Sequence, residues 1–422
     1  MTERWTELAP TPAPLAPGKK WHVFLSYRSV TRPWVLALYD VLIELGYKVF
    51  LDQYVLTAAA PLAISLGEAL DASQSAILVW SGRYEDSAWC MQEFAKLEVM
   101  QNARKGFRYV IGRVDESEIG GLAATKLWID FSKQPEGPAG SGLLALICGL
   151  QGLPLPPEAV KLAATVDDQM KEGLLSVKSC RTAGDGDTLL ALTDTDDLAW
   201  TGSPMLLCAA AEGLIALKRL DDAVKVLDCA EFAFPKALRP KQLRGLALAR
   251  RQETLKAQHI LGRLYAAGEI DPETLGLLVR TWMDRYNQTQ ERIFLLKSRD
   301  LYRQAFEAFP TDYYTGINAA SKSLLAGEKE TAAQLARRVQ DLVGDQPVPG
   351  DYWKTATVAE VQLLQGNFEL AARLYEAAVL IAPLDSGSHE SSYDQAKRLL
   401  AALGASDGQR TNIEAAFLTL KN

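Results

Sequence analysis

From Trp21 to about residue 152, short runs rich in β-branched and aromatic residues alternate with stretches of helical period, and no other feature constrains the fold as much. WHVFLSY, YKVFLD, SAILVWS and FRYVIGRV read as strands, and KLWIDF as a weaker one. RPWVLALYDVLIELG, APLAISLGEALDAS, SAWCMQEFAKLEVMQNA and GLLALICGLQGL read as helices. The first ends at Gly46, a residue suited to the left-handed backbone that closes a helix. A chain that alternates strand and helix must carry each helix back over the sheet. The strands therefore run parallel, with helices on both faces. AILVW and YVIG are apolar throughout, as strands covered on both sides require.

Composition and punctuation divide the rest of the 422 residues. APTPAPLAPG is a Pro/Ala-rich stretch with no core of its own, so 1–18 is predicted to be a disordered arm. The α/β unit then occupies 19–152. LPLPP at 153–157 marks its end, and 153–200 reads as a linker with connecting helices, its Gly/Asp clusters within 181–200 being loop-like. Past that point the chain turns Ala/Leu-rich. Ala223, Ala230 and Pro235 recur in spacing as Ala371, Ala378 and Pro383, while Ala305 and Pro310 repeat the second half. Ala223 and Ala257 stand 34 residues apart. Small residues at such a spacing let antiparallel helices approach, and the proline stops the second helix. The pattern resembles the tetratricopeptide repeat (TPR). DYYTGINAASKSLLAGE at 312–328 also resembles TPR-like segments over roughly 270–382, and Gly366-Asn367-Phe368 is the best match to the repeat's turn. The first-helix landmarks are mostly absent, so the repeats are divergent. This assigns an all-α, TPR-like solenoid to 201–405 and a C-terminal helical tail to 406–422.

Several function classes are disfavoured. The net charge is −7 and no Lys/Arg run occurs, so nucleic acid is not an expected partner. Five scattered cysteines without a C-x-x-C pair speak for reduced thiols in a cytoplasm rather than disulfides or zinc. The N-terminal stretch has no apolar core of a secretory signal, and no run approaches the roughly 18–20 apolar residues of a bilayer span. A cytoplasmic protein without membrane contact is expected. His22, His259 and His389 lie far apart, which disfavours metal ligation or a histidine-based triad. SYRSVTRP after the first strand lacks the glycines of a dinucleotide or P-loop motif, and VFLSYRS lacks the acids of a receiver domain.

HVFLSYRS, GYKVFLDQYVL and SAILVWSGRYEDSAWCMQEF, in that order along the chain, resemble the Toll/interleukin-1 receptor (TIR) family. HVFLSYRS is similar to its first box, GYKVFLDQYVL to its second strand and following loop, and SAILVWSGRYEDSAWCMQEF to its third strand and helix with a Trp-Cys-x-x-Glu core. The resemblance spans some 130 residues and implies a flavodoxin-like parallel sheet. Enzymatic members cleave the nicotinamide–ribose bond of NAD+, giving ADP-ribose or a cyclic isomer. Glu93 is the carboxylate that the motif carries over. Nicotinamide already leaves as a cation, so what needs stabilising is oxocarbenium character at the ribose carbon, and an ionised carboxylate does this. Trp89, four residues earlier on the same helix face, is placed to wall the ribose or nicotinamide. Arg28, at the end of the first strand, is a candidate for meeting a phosphate or orienting the carboxylate, and Asp52, closing the second strand, for substrate binding. NAD+ is then a substrate, and no separate cofactor or metal is expected. The family also self-associates through TIR domains, so a non-enzymatic scaffold acting through TIR–TIR packing and a TPR-bound partner or ligand stands as the alternative. One departure touches both readings: VLTAAAPL has alanines where the family's loop after the second strand carries a glycine.

Overall fold

The computed structural model describes residues 5–51, 62–82, 84–85, 88–126, 128–269, 271–308, 310–383 and 386–418. Its N-terminal elements follow the expected alternation: β1 (Trp21–Ser26), α1 (Arg32–Glu44), β2 (Val49–Phe50), α2 (Leu62–Asp71), β3 (Ser73–Trp80), α3 (Ala88–Ala103), β4 (Arg108–Arg113), β5 (Trp128–Asp130) and α4 (Gly140–Gln151). All strand pairs are parallel and the order is β2-β1-β3-β4-β5, the flavodoxin-like arrangement. In register, Val23 lies beside Val49 and Ser75, and Ser26 beside Leu78. Gly46, with φ of 89°, closes α1 as its position in the sequence requires.

Side chains alternate across a strand, and here the parity sorts them into two cores. Val23, Leu25, Ile77 and Val79 join one cluster with α1 and α4. Phe24, Ala76, Leu78 and Trp80 join the other with α3 residues such as Phe94 and Leu97. Ser26, two residues on from Phe24, shares the α3 side.

The first of these cores does not stop at residue 152. Pro157, the last proline of LPLPP, is the first residue of α5 (Pro157–Ala183), where its fixed φ and missing N–H suit a helix start. Ala159, Ala163, Val166, Met170, Gly173, Val177 and Cys180 make a buried stripe along it. Then follow α6 (Gly186–Ala191), α7 (Leu198–Gly202), α8 (Met205–Ala216), α9 (Leu220–Ala233), α10 (Arg239–Arg250) and α11 (Thr254–Ala266). One hydrophobic cluster runs from the sheet through α5 to Leu243 and Ala247 on α10. Thus the stretch read as a linker is part of a core, and the chain divides into compact units at about residue 270 rather than at LPLPP. Composition marked a helix start there, not a domain edge.

The arm differs from expectation too. Trp5 is fully buried, and a Cβ on Gly202 would stand 1.8 Å from its Nε1, so glycine is required where the indole crosses α7. Thr6 Oγ1 donates to Gly202 O at 3.1 Å, and the Tyr47 hydroxyl donates to Pro10 O at 2.8 Å. Apolar burial of one tryptophan outweighs the weak local propensity of a Pro/Ala segment.

Helix α1 also reaches the repeats. Asp40 and Glu44, one turn apart, accept from consecutive backbone N–H groups at the start of α10. Glu44 Oε1 takes those of Lys236 and Ala237 (2.6 and 2.8 Å), while Asp40 takes those of Leu238 and Arg239 (2.6 and 3.0 Å). These donors have no intrahelical acceptor, and a negative charge at a helix N-terminus is favourable.

The second unit holds α12 (Pro272–Thr289), α13 (Arg292–Ala308), α14 (Tyr313–Leu325), α15 (Lys329–Val343), α16 (Tyr352–Leu364), α17 (Phe368–Ile381), α18 (Ser386–Leu403) and α19 (Asp407–Leu418). Asp271, Asp312 and Asp351 cap the N-termini of α12, α14 and α16. The repeat alanines Ala223, Ala230, Ala257, Ala305, Ala371 and Ala378 are all buried, on the second helices of their pairs. The tail forms α19, whose Phe417 ring lies 5.0 Å from that of Tyr375. Among the described residues no helix is long and apolar enough to cross a membrane.

Candidate active site

Strand β1 ends with Ser26 facing α3, and the second turn of α3 carries Glu93. Parity on the strand and the helix start at Ala88 together bring them into contact: Ser26 Oγ donates to Glu93 Oε2. The Tyr84 hydroxyl lies 2.7 Å from Ser26 Oγ and 3.2 Å from the Cys90 carbonyl oxygen. With the single Ser26 proton directed at Glu93, the Tyr84 hydroxyl is the one free to donate toward Ser26 Oγ, its proton shared with the Cys90 carbonyl. The result is a one-way chain, Tyr84 to Ser26 to Glu93, that ends on a carboxylate.

Burial holds the Tyr84 hydroxyl well above the usual phenol range, and the nearby charge of Glu93 pushes the same way. It therefore stays protonated, as the chain requires. Tyr84 is fixed by stacking on Trp80, with ring centroids 4.9 Å apart at 21°, and Trp80 Nε1 donates to Glu118 O at 3.3 Å. Tyr84 and Ser26 are buried, whereas Glu93 is half-buried. The dry end of the chain positions the group at its wet end.

The other sequence candidates are distributed as follows. Arg28 follows β1 two residues after Ser26 and is half-buried; its carbonyl accepts from the N–H and Oγ1 of Thr31, which sets the turn. Trp89 lies in the first turn of α3, but its side chain is outside the described residues, as is Asp52 altogether, together with the alanine-bearing loop 55–62 for the most part. Cys90 is buried with Sγ 3.6 Å from the Tyr27 carbonyl oxygen, which makes it part of the packing that joins α3 to the end of β1. Sequence reasoning missed Ser26 and Tyr84 as site residues. Both were inside the motif stretches FLSYRS and SGRYEDSAWC, but nothing local in either stretch announces a hydrogen bond across 58 residues.

Two family profiles agree with this architecture. The profile of the TIR domain family matches residues 23–145, and that of the Tetratricopeptide Repeats-Sensor family matches 216–325. Over 79 residues the chain is 37% identical to TMV resistance protein N of Nicotiana glutinosa, a stretch that is 18% of this chain and only 7% of that protein. Among solved structures, a thermophilic TPR protein of Thermus thermophilus is similar with a TM-score of 0.36 at 19% identity, covering 47% of this chain and 97% of that one. The C-terminal part of a TPR repeat-containing protein of Cytophaga hutchinsonii gives a TM-score of 0.30 at 13% identity, covering 58% and 95%.

Proposed function

We propose that this chain, a TIR domain followed by tetratricopeptide sensor repeats, cleaves the nicotinamide–ribose bond of NAD+ with Glu93 as its catalytic carboxylate. The observation that carries the reading is the Tyr84–Ser26–Glu93 chain at the carboxyl end of β1. Ligands of open parallel sheets bind in the crevice outside those strand ends. Glu93 is half-buried there, with one oxygen held by Ser26. Its negative charge can meet the oxocarbenium character at the ribose carbon as nicotinamide departs. No general acid is needed for that leaving group, which fits a site whose motif supplies one carboxylate. NAD+ is a substrate in this scheme: as the bond to nicotinamide breaks, the ribose carbon bonds to water, giving ADP-ribose and a proton, or to another atom of the same nucleotide, giving a cyclic isomer. Arg28 is the proposed partner of an NAD+ phosphate, and Trp89 and Asp52 complete the proposed substrate-binding set. The repeats bind a protein or ligand that governs how TIR domains meet, making the chain a signalling or defence effector.

The decisive experiment incubates the full-length protein with NAD+ and follows nicotinamide release, for the wild type and Glu93→Gln. The variant keeps shape and hydrogen bonding but loses the charge. The expected loss is at least about a hundredfold, comparable to removing one electrostatic stabiliser worth roughly 2.7–4 kcal/mol. Near-wild-type turnover by a folded Glu93→Gln protein would refute the assignment. No release by the wild type, even when concentrated, would favour the scaffold.

A further inference from the structure

Two helical stripes in the first compact unit face one cavity of about 830 Å³. Lys241 and Arg244 on α10, and Arg251 at its C-cap, recur at intervals that return to the same face. On α11, Lys256, His259 and Arg263 do likewise. Among the described lining residues only Glu231 and Glu253 are acidic.

Some of the cations are already committed. Arg244 pairs with Asp228 at 2.9 Å and with Glu231 at 3.5 Å, Arg251 with Asp221 and Glu253 at 3.0 and 2.7 Å, and Lys256 with Glu253. Others are not: Arg263 and His259 are exposed and have no ion pair among the described residues, and Arg244 Nε is buried without an acceptor. Four carboxylates, Glu231, Glu253, Asp221 and Asp228, stand against the five Lys and Arg side chains of the lining, and Lys241 and Arg263 are left without an ion pair among the described residues. In a chain of net charge −7, the lining itself still holds five Lys and Arg side chains against two Glu.

We infer that the α9–α11 cavity is a binding site for a small phosphate-bearing anion with an apolar or ring portion. The volume lies within the roughly 300–1,000 Å³ of small-molecule sites and favours such a ligand over an extended polymer. Planar guanidinium groups suit phosphate oxygens. Leu248, Leu255, Ile260 and Leu264 on the walls give the non-ionic part of the ligand a surface to cover. Leu255 is 66% exposed, an apolar residue that such a ligand would shield. The location adds consequence, since α10 is also the helix whose N-terminus is held by Asp40 and Glu44 of α1. The inference is independent of NAD+ cleavage, and its readout is binding alone.

The test titrates the full-length chain with inorganic pyrophosphate and with ADP by calorimetry, at low and moderate salt. Saturable one-site binding is expected for both, with ADP at least about tenfold tighter and both weakened by salt. In the double variant Lys256→Ala/Arg263→Ala, whose side chains are exposed, affinity should fall at least about tenfold with an unchanged circular dichroism spectrum. Lys161→Ala, on α5 and outside the cavity, should leave it unaltered. Absence of saturable binding to the folded wild type overturns the inference, as does equal affinity in the double variant. A short single-stranded RNA that competes more tightly than ADP overturns the small-molecule class.

Discussion

Asp40→Asn isolates the joint between the sheet domain and the first repeats. Asp40 is 1% exposed, and burial raises its carboxyl to about 7 despite the two amide donors and the charges of Arg239 and Lys241, which pull it down. The Cys208 thiol, itself held high by burial, also feels its charge. A carboxyl that binds its proton more tightly in the fold than in the unfolded chain supports stability at low pH. That support is lost as pH climbs through the folded value. Moving from the ordinary 3.8 to about 7 amounts to about 4 kcal/mol at ~1.4 kcal/mol per pH unit. Roughly 2–3 kcal/mol of that falls between pH 5 and 8. Asparagine cannot titrate. Its carbonyl keeps one amide bond while its NH2 meets the other donor, an offset of about 1–3 kcal/mol that does not vary with pH. The wild type should therefore lose protection between pH 5 and 8 and Asp40→Asn should not. Because the chain has two compact units, global melting mixes transitions. Hydrogen exchange of the amides in 234–250, measured under native conditions at both pH values, reads the joint itself. Parallel pH dependences in the two proteins would refute the reasoning, because burial of an ionisable Asp40 could not then be what the fold is working against.

Ser26→Ala removes the donor to Glu93 and takes from Tyr84 one of its two acceptors, so NAD+ cleavage should fall about 10–100-fold with a stability cost of about 1–2 kcal/mol. Unchanged turnover in a folded variant would show that the chain does not position Glu93. If TIR domains share a site between copies, specific activity should rise with protein concentration until assembly saturates. A flat value over a hundredfold dilution of a sample shown by light scattering to be monomeric throughout would assign a complete site to each protomer.

What the sequence determined by itself is whatever depends on local pattern. The α/β alternation, the closure of α1 at Gly46, the repeat alanines with their following prolines, and the motif carrying Glu93 could all be read because period, propensity and punctuation act over a few residues. The family motif even contained Ser26 and Tyr84, although nothing in it paired them. The tertiary structure decided the rest. Asp40 and Glu44 in RPWVLALYDVLIE look like the solvated edge of an amphipathic helix, yet they cap a helix nearly 200 residues further on, Asp40 across 198 to Leu238. Trp5 looks like part of a loose arm, yet it fills a slot that exists only because residue 202 lacks a Cβ. LPLPP looks like the end of a domain, yet the hydrophobic core continues past it through α5. Each depends on which distant surface supplies the missing acceptor, the room for a ring, or the apolar partner. Burial and buried hydrogen bonds are settled between elements once they pack, and local sequence does not carry that pairing.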